Sequence, residues 1–277
     1  MNTALSQVCS LNSPLDRDVE DYAAGHCPCL ELWLGKLETY LETHSEDDVR
    51  RLLDRHQLAA PVASYQGGLL DSQGPSRQQH WEHFQRRLAL ARRLGVTTLV
   101  VAADVHSPLS QQLLDRICGS LAEAAELAQR HELRIAVEFQ AAATFANNLQ
   151  TAAALAADVA SPHVGICLDA FHYYCGPSQP EDLALLTTDN LFHVQLCDLA
   201  GQTRELATDG DRILPGDGDI PLQPIVDHLR TIDYQGVVSI ELMNPQIWQI
   251  PPQQFGEIAI TALRKLLGEA SMGEARA

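Results

Sequence analysis

The feature that most constrains this chain is an alternation repeated eight times: a short apolar run, then a stretch of helical periodicity. Residues 4–9, 29–34, 59–65, 98–103, 134–139, 164–169, 192–197 and 237–242 read as strands. Residues 16–24, 45–56, 76–94, 109–131, 148–160, 181–186, 222–232 and 251–267 read as helices. In the third helix Trp81, Phe84, Leu88, Ala91 and Leu94 recur every three or four residues, so they share one face. Ser76 is expected to cap its start and Gly95 its end, and Ser45 with Asp48 opens the second helix as a capping box. Strict alternation implies parallel strands joined by right-handed crossovers. Eight such units imply an α/β fold, a single (β/α)8 TIM barrel over residues 1–267. The rival, a doubly wound open sheet, usually carries a Gly-rich turn after its first strand, and none follows Cys9. Residues 268–277 are small and polar and read as a fraying tail.

Charge narrows the partners. Lys and Arg total 19 against 36 Asp and Glu, a formal charge of −17. No basic patch can dominate such a surface, which argues against nucleic acid and anionic membranes as partners. No apolar run approaches the ~18 residues needed to span a bilayer. Residues 1–12 hold no Lys or Arg and no sustained apolar stretch, so no signal peptide is expected. Seven cysteines, an odd number scattered from Cys9 to Cys197, suit reduced thiols and a cytoplasmic setting. Cys27-Pro-Cys29 has no second pair and reads as structural.

In a barrel the chemistry sits at the C-terminal ends of the strands. Four consecutive strands carry an oxygen donor there: Glu138, Asp169, Gln195 and Glu241. Three carboxylates gathered without a cation would repel one another and be costly to desolvate. A divalent metal removes that conflict. Oxygen donors without cysteine favour Mn2+ or Mg2+, with Co2+ tolerated and Zn2+ less natural.

Five ordered motifs extend the pattern: Val137-Glu138-Phe139, Leu168-Asp169-Ala170-Phe171-His172, Val194-Gln195-Leu196-Cys197-Asp198, Asp211 to Ile220 (DRILPGDGDI) and Ser239-Ile240-Glu241-Leu242. Together they resemble the xylose-isomerase-like barrel superfamily of sugar phosphate isomerases and epimerases, to which endonuclease IV is also related. The likeness is specific from about residue 134 to 267. Earlier it rests on the rhythm and on Leu30-Glu31-Leu32-Trp33. Within the superfamily the second half is most similar to inosose isomerases and, at the Gln195 strand, to 3-dehydroshikimate dehydratases. The resemblance implies one divalent metal held by Glu138, Asp169, Gln195 and Glu241, with His in many members where Gln195 stands. It also implies that His172 binds a substrate oxygen and that Arg212 steadies developing negative charge. An ion pair with Asp217 or Asp219 is the structural alternative for Arg212. The endonuclease branch needs a metal cluster and further histidines, for which Gln195 and Ile213 are the wrong residues.

Such a site suits proton removal beside a carbonyl, with Glu138 and Glu241 as the acid–base pair. The expected activity is isomerisation or epimerisation of a keto-sugar or inosose-like keto-cyclitol through an enediolate held at the metal. The alternative is a lyase, a dehydratase or decarboxylase using the same parts. Its carboxylated substrate needs a cation, which residues 65–69 do not offer although the dehydratases place one there. A barrel that binds without turnover is disfavoured by the intact carboxylate set. The expected partner is a small polyol or keto-sugar, and a homo-oligomer is compatible with the sequence. Glu31 shares a strand face with Trp33 and is open to either a buried supporting role or substrate contact. Asp198 is open to orienting a ligand or capping its loop.

Overall fold

The computed structural model describes residues 1–269. Its eight strands close into a parallel barrel in chain order. They are β1 (Asn2–Ser6), β2 (Cys29–Trp33), β3 (Ala59–Gln66), β4 (Thr98–Ala102), β5 (Arg134–Glu138), β6 (Val164–Asp169), β7 (Leu191–Leu196) and β8 (Val237–Ile240). The helices between and after them are α1 (Leu15–Ala24), α2 (Leu34–Leu41), α3 (Glu46–His56), α4 (Gly74–Arg93), α5 (Gln111–Arg130), α6 (Leu149–Val159), α7 (Ala170–Cys175), α8 (Leu222–Thr231) and α9 (Pro252–Leu266). No helix among the described residues is long and apolar enough to cross a membrane.

The described residues divide into two compact units, Pro61–Val194 and Met1–Ala60 with 195–269. In the first, β4, β5 and β6 form a continuous parallel ladder in which Glu138 pairs with Ala102 on one side and Cys167 on the other. Ile135, Ala136 and Val137 are fully buried, and so is every residue of β6 to within a few per cent. That explains why the apolar runs are continuous rather than alternating: both faces of the sheet are covered. Gly165 is required where β6 passes the next strand, because a Cβ there would lie 2.5 Å from the Asn190 carbonyl and 2.7 Å from the Phe192 ring. β3 ends in an irregular register, with Tyr65 at φ +81° and 57% exposed.

In the second unit β1 pairs with both β2 and β8. Helices α1 and α9 pack together through the rings of Tyr22 and Phe255, with centroids 6.4 Å apart. Beneath α1 lies a buried polar cluster. Lys36 Nζ donates to Asp18 Oδ2 at 2.5 Å and to the Ser10 carbonyl, and Ser10 Oγ bonds Asp18 Oδ1 and Tyr22 Oη.

The strands stand where the alternation placed them, to within a few residues at their ends. The first departs furthest: its expected tail is a 3-10 turn, Gln7–Ser10. The buried Gln7 side chain causes the bend, accepting from Trp33 N at 3.1 Å and donating to Asp18. Ser45 and Asp48 form the expected capping box, and Gly95 adopts φ +81° after α4. Ser76 does not cap α4, which begins two residues earlier at Gly74-Pro75 because a proline is pre-set for a first helical turn. Residues 180–185 form a 3-10 rather than an α-helix. Helices α2 and α7 were not expected; at eight and six residues they are too short to display a periodicity. The tail expected over 268–277 falls, from residue 270 on, outside the described residues.

Candidate active site

Three candidate residues of the Pro61–Val194 unit come together. Glu138 ends β5, Asp169 ends β6, and His172 lies in the first turn of α7. One ligating atom from each falls within 4.8 Å of the others. Asp169 is fully buried, and the side chains of His172 and Glu138 are 7% and 12% exposed. The strand-to-helix junction sets this arrangement. Asp169 Oδ1 accepts from Phe171 N at 2.6 Å and His172 N at 3.1 Å, so the carboxylate is also the N-cap of α7. The Ala141 amide donates to His172 Nδ1 at 3.3 Å. A ring that accepts at Nδ1 carries its proton at Nε2 when neutral, and Nε2 stands 3.9 Å from Glu138 Oε1. His172 therefore faces Glu138 through Nε2, the ring nitrogen that the Ala141 amide does not engage. Two carboxylates this close and this dry are costly unless a cation joins them. The donor set fits a divalent ion.

The remaining candidates come together in the other unit. Gln195 lies in β7 and Glu241 follows β8, its amide bonded to the Leu196 carbonyl at 3.2 Å. Gln195 Nε2 donates at 2.9 Å to Glu31 Oε1 and at 2.9 Å to Glu241 Oε1. Two carboxylates facing the same end of the amide require that end to be the NH2 group, which fixes the side chain's orientation. Glu31 is fully buried and accepts from Ser239 through its second oxygen. Glu241, 2% exposed, takes Arg212 Nη1 on its second oxygen at 3.2 Å.

Arg212 is 1% exposed and also forks onto Asp209 Oδ1 through Nε at 3.0 Å and Nη2 at 2.7 Å. Asp209 and Glu241 are thus ion-pair partners of this guanidinium. The loop that carries it is held by Asp198. Oδ1 of Asp198 accepts from Leu199 N and Ile220 N, and Oδ2 from Gly216 N, each at 2.9 Å. Backbone bonds between Asp198 and Ile213 complete the anchor. Asp198 caps its loop, which resolves the ambiguity left by the sequence. Glu31 emerges as a buried partner of Gln195. Asp209, Ser239 and Asn244, which bonds the Arg212 carbonyl at 3.0 Å, were missed. Ser239 was accessible to strand alternation, since it shares a face with Glu241; Asp209 opens a single 3-10 turn, Asp209–Asp211, where only its three-residue spacing from Arg212 hints at a pair.

Known proteins agree with this architecture. The IolI protein with a bound zinc atom superposes with a TM-score of 0.91 at 22% identity, covering 98% of this chain and all of that one. D-psicose 3-epimerase from Clostridium cellulolyticum H10 superposes with a TM-score of 0.76 at 17% identity, covering 98% of this chain and all of that one. In sequence, the inosose isomerase of Halalkalibacterium halodurans is 23% identical over 247 residues, 88% of each chain. The 3-dehydroshikimate dehydratase of Pseudomonas aeruginosa is 27% identical over 265 residues, 93% of this chain and 40% of that one. A family model described as xylose isomerase-like TIM barrel matches residues 23–266. Spanning all but the ends of the chain, that match places the protein in the xylose isomerase-like TIM barrel family.

Proposed function

We propose that this protein is a divalent-metal-dependent isomerase or epimerase of a keto-sugar or inosose-like keto-cyclitol. The observation that carries the reading is the grouping of Glu138 and Asp169, at the ends of adjacent strands, with His172 in the first turn of α7. Inosose isomerases and an epimerase among the similar proteins support it. The proposed ligands are Glu138, Asp169, Gln195 and Glu241. This set rests on their equivalent places at the ends of four successive strands and on the family resemblance. All four offer oxygen, which favours Mn2+ or Mg2+ over Zn2+. The ion supplies Lewis acidity toward a carbonyl oxygen.

The chain's own residues supply the proton chemistry. Glu138 and Glu241 are the acid–base pair, one taking the proton from carbon beside the carbonyl and the other returning one. His172 offers its Nε2 proton to a substrate oxygen from beside Glu138. Arg212 holds one oxygen of Glu241, which fixes the carboxylate's rotation, and its permanent charge offsets negative charge developing on the substrate.

Gln195 and the dehydratase likeness favour a second reading, a lyase. A carboxylated substrate would need a cation at the end of β3. The guanidinium at that strand end, Arg87, is committed to the Tyr65 carbonyl at 2.7 Å and Gln66 Oε1 at 3.1 Å. The test is to strip the protein of metal, restore Mn2+ and follow inososes, ketoses and 3-dehydroshikimate by NMR. An isomer formed without loss of water is expected. Loss of water from 3-dehydroshikimate selects the lyase, and full turnover by metal-free protein overturns both readings.

A further inference from the structure

The amide of Gln195 is held by more than the strand that carries it. Its two N–H bonds are divided between two buried carboxylates, Glu31 and Glu241, at 2.9 Å each. Only one of these belongs to the proposed ligand set. Glu31 comes from β2, is fully buried, and is itself pinned through its other oxygen by Ser239 Oγ. A buried carboxylate is retained at considerable desolvation cost unless something uses its charge. Here the charged acceptor binds an amide hydrogen, a contact about twice as strong as one between neutral groups. An amide ligates hard cations through oxygen, so anchoring the nitrogen end on Glu31, which is outside the proposed ligand set, leaves the oxygen end as the one to ligate.

We propose that Glu31 is a positioning residue that holds the Gln195 amide in its ligating orientation, with the nitrogen anchored and the oxygen given to the metal. The inference deepens the function proposed above and rests on Gln195 being a ligand. It explains how an amide can serve as a ligand here: the amide rotates freely about its last bond unless its nitrogen is tied down. Partners of this kind around a metal ligand are worth 10–100-fold in affinity, by the usual scale of such substitutions.

The experiment uses the full chain with Mn2+ alone as probe. Glu31→Gln keeps the shape and removes the charge; Glu31→Leu removes the acceptor as well. In metal-free, 15N-labelled protein, the Gln195 side-chain amide protons are expected to move upfield in Glu31→Gln as the charged acceptor is lost. Mn2+ affinity, read by competition with a chromophoric chelator, is expected to fall about 10-fold or more. The loss is expected to be larger in Glu31→Leu, with circular dichroism unchanged; if that variant does not fold, Glu31→Gln decides. A merely structural role would lower the melting temperature while leaving the amide resonances and Mn2+ affinity where they were. That result, or affinity within twofold of wild type in folded Glu31→Gln, overturns the inference alone. If Gln195→Ala binds Mn2+ as tightly as wild type, Gln195 is no ligand and both the ligand reading and this inference fall.

Discussion

Arg212 shows at the scale of one residue how burial converts a charge into geometry. Its guanidinium reaches Glu241 through one nitrogen and Asp209 through two others. Lysine has one compact ammonium and cannot span both carboxylates in the same plane. Arg212→Lys is therefore expected to lower kcat/KM about 10- to 100-fold, most of it in kcat, while Mn2+ binding persists. Steady-state kinetics beside a metal titration would check it, and a fall confined to KM would contradict it. The candidate residues were legible in the sequence for a physical reason: Glu138, Asp169 and Glu241 terminate runs that are otherwise apolar. What could not be read was how the groups share partners. Whether Glu31 touches substrate or Gln195, and whether Arg212 meets Asp209 or Asp217, depends on loop paths that no periodicity encodes.

At the scale of elements, the strands were legible because continuous apolar runs of five or six residues mark a sheet covered on both faces. Short helices and side-chain-driven bends were not. The 3-10 turn after β1 depends on Gln7 meeting Trp33 and Asp18, contacts between segments distant in sequence. The same region holds the buried Asp18–Lys36 pair. Burial pushes the Asp18 carboxyl up to about 6 against the pull of Lys36, and burial pushes Lys36 down. The folded chain thus holds a proton on Asp18 at pH values where the unfolded chain, near 3.8, has released it. The stability this group contributes is fully present below about 4 and is lost as pH rises through about 6. Lys36→Met alone is expected to destabilise by about 3–5 kcal/mol at pH 7, by stranding a buried carboxylate. Asp18→Leu with Lys36→Met is expected to be neutral or stabilising and to remove that part of the pH dependence. Urea denaturation at pH 4, 6 and 7 would check both. A double variant as unstable as the single would show that the pair itself, rather than the stranded charge, matters.

At the scale of the whole molecule, the closed barrel follows from counting eight repeats of one unit, and the chain-order sheet is what right-handed crossovers produce. A surface charge of −17 sets the long-range field against anionic ligands, in keeping with a neutral ketose or cyclitol. The central claim is that Glu138 and Glu241 exchange protons at carbon beside a carbonyl. Its most direct measurement is NMR of an inosose incubated in D2O with the Mn2+-loaded protein and with the Glu138→Gln and Glu241→Gln variants. The account predicts deuterium appearing at the carbon next to the carbonyl with wild type, and exchange falling at least about 100-fold in each variant. Exchange that persists near the wild-type rate in either folded variant would contradict it.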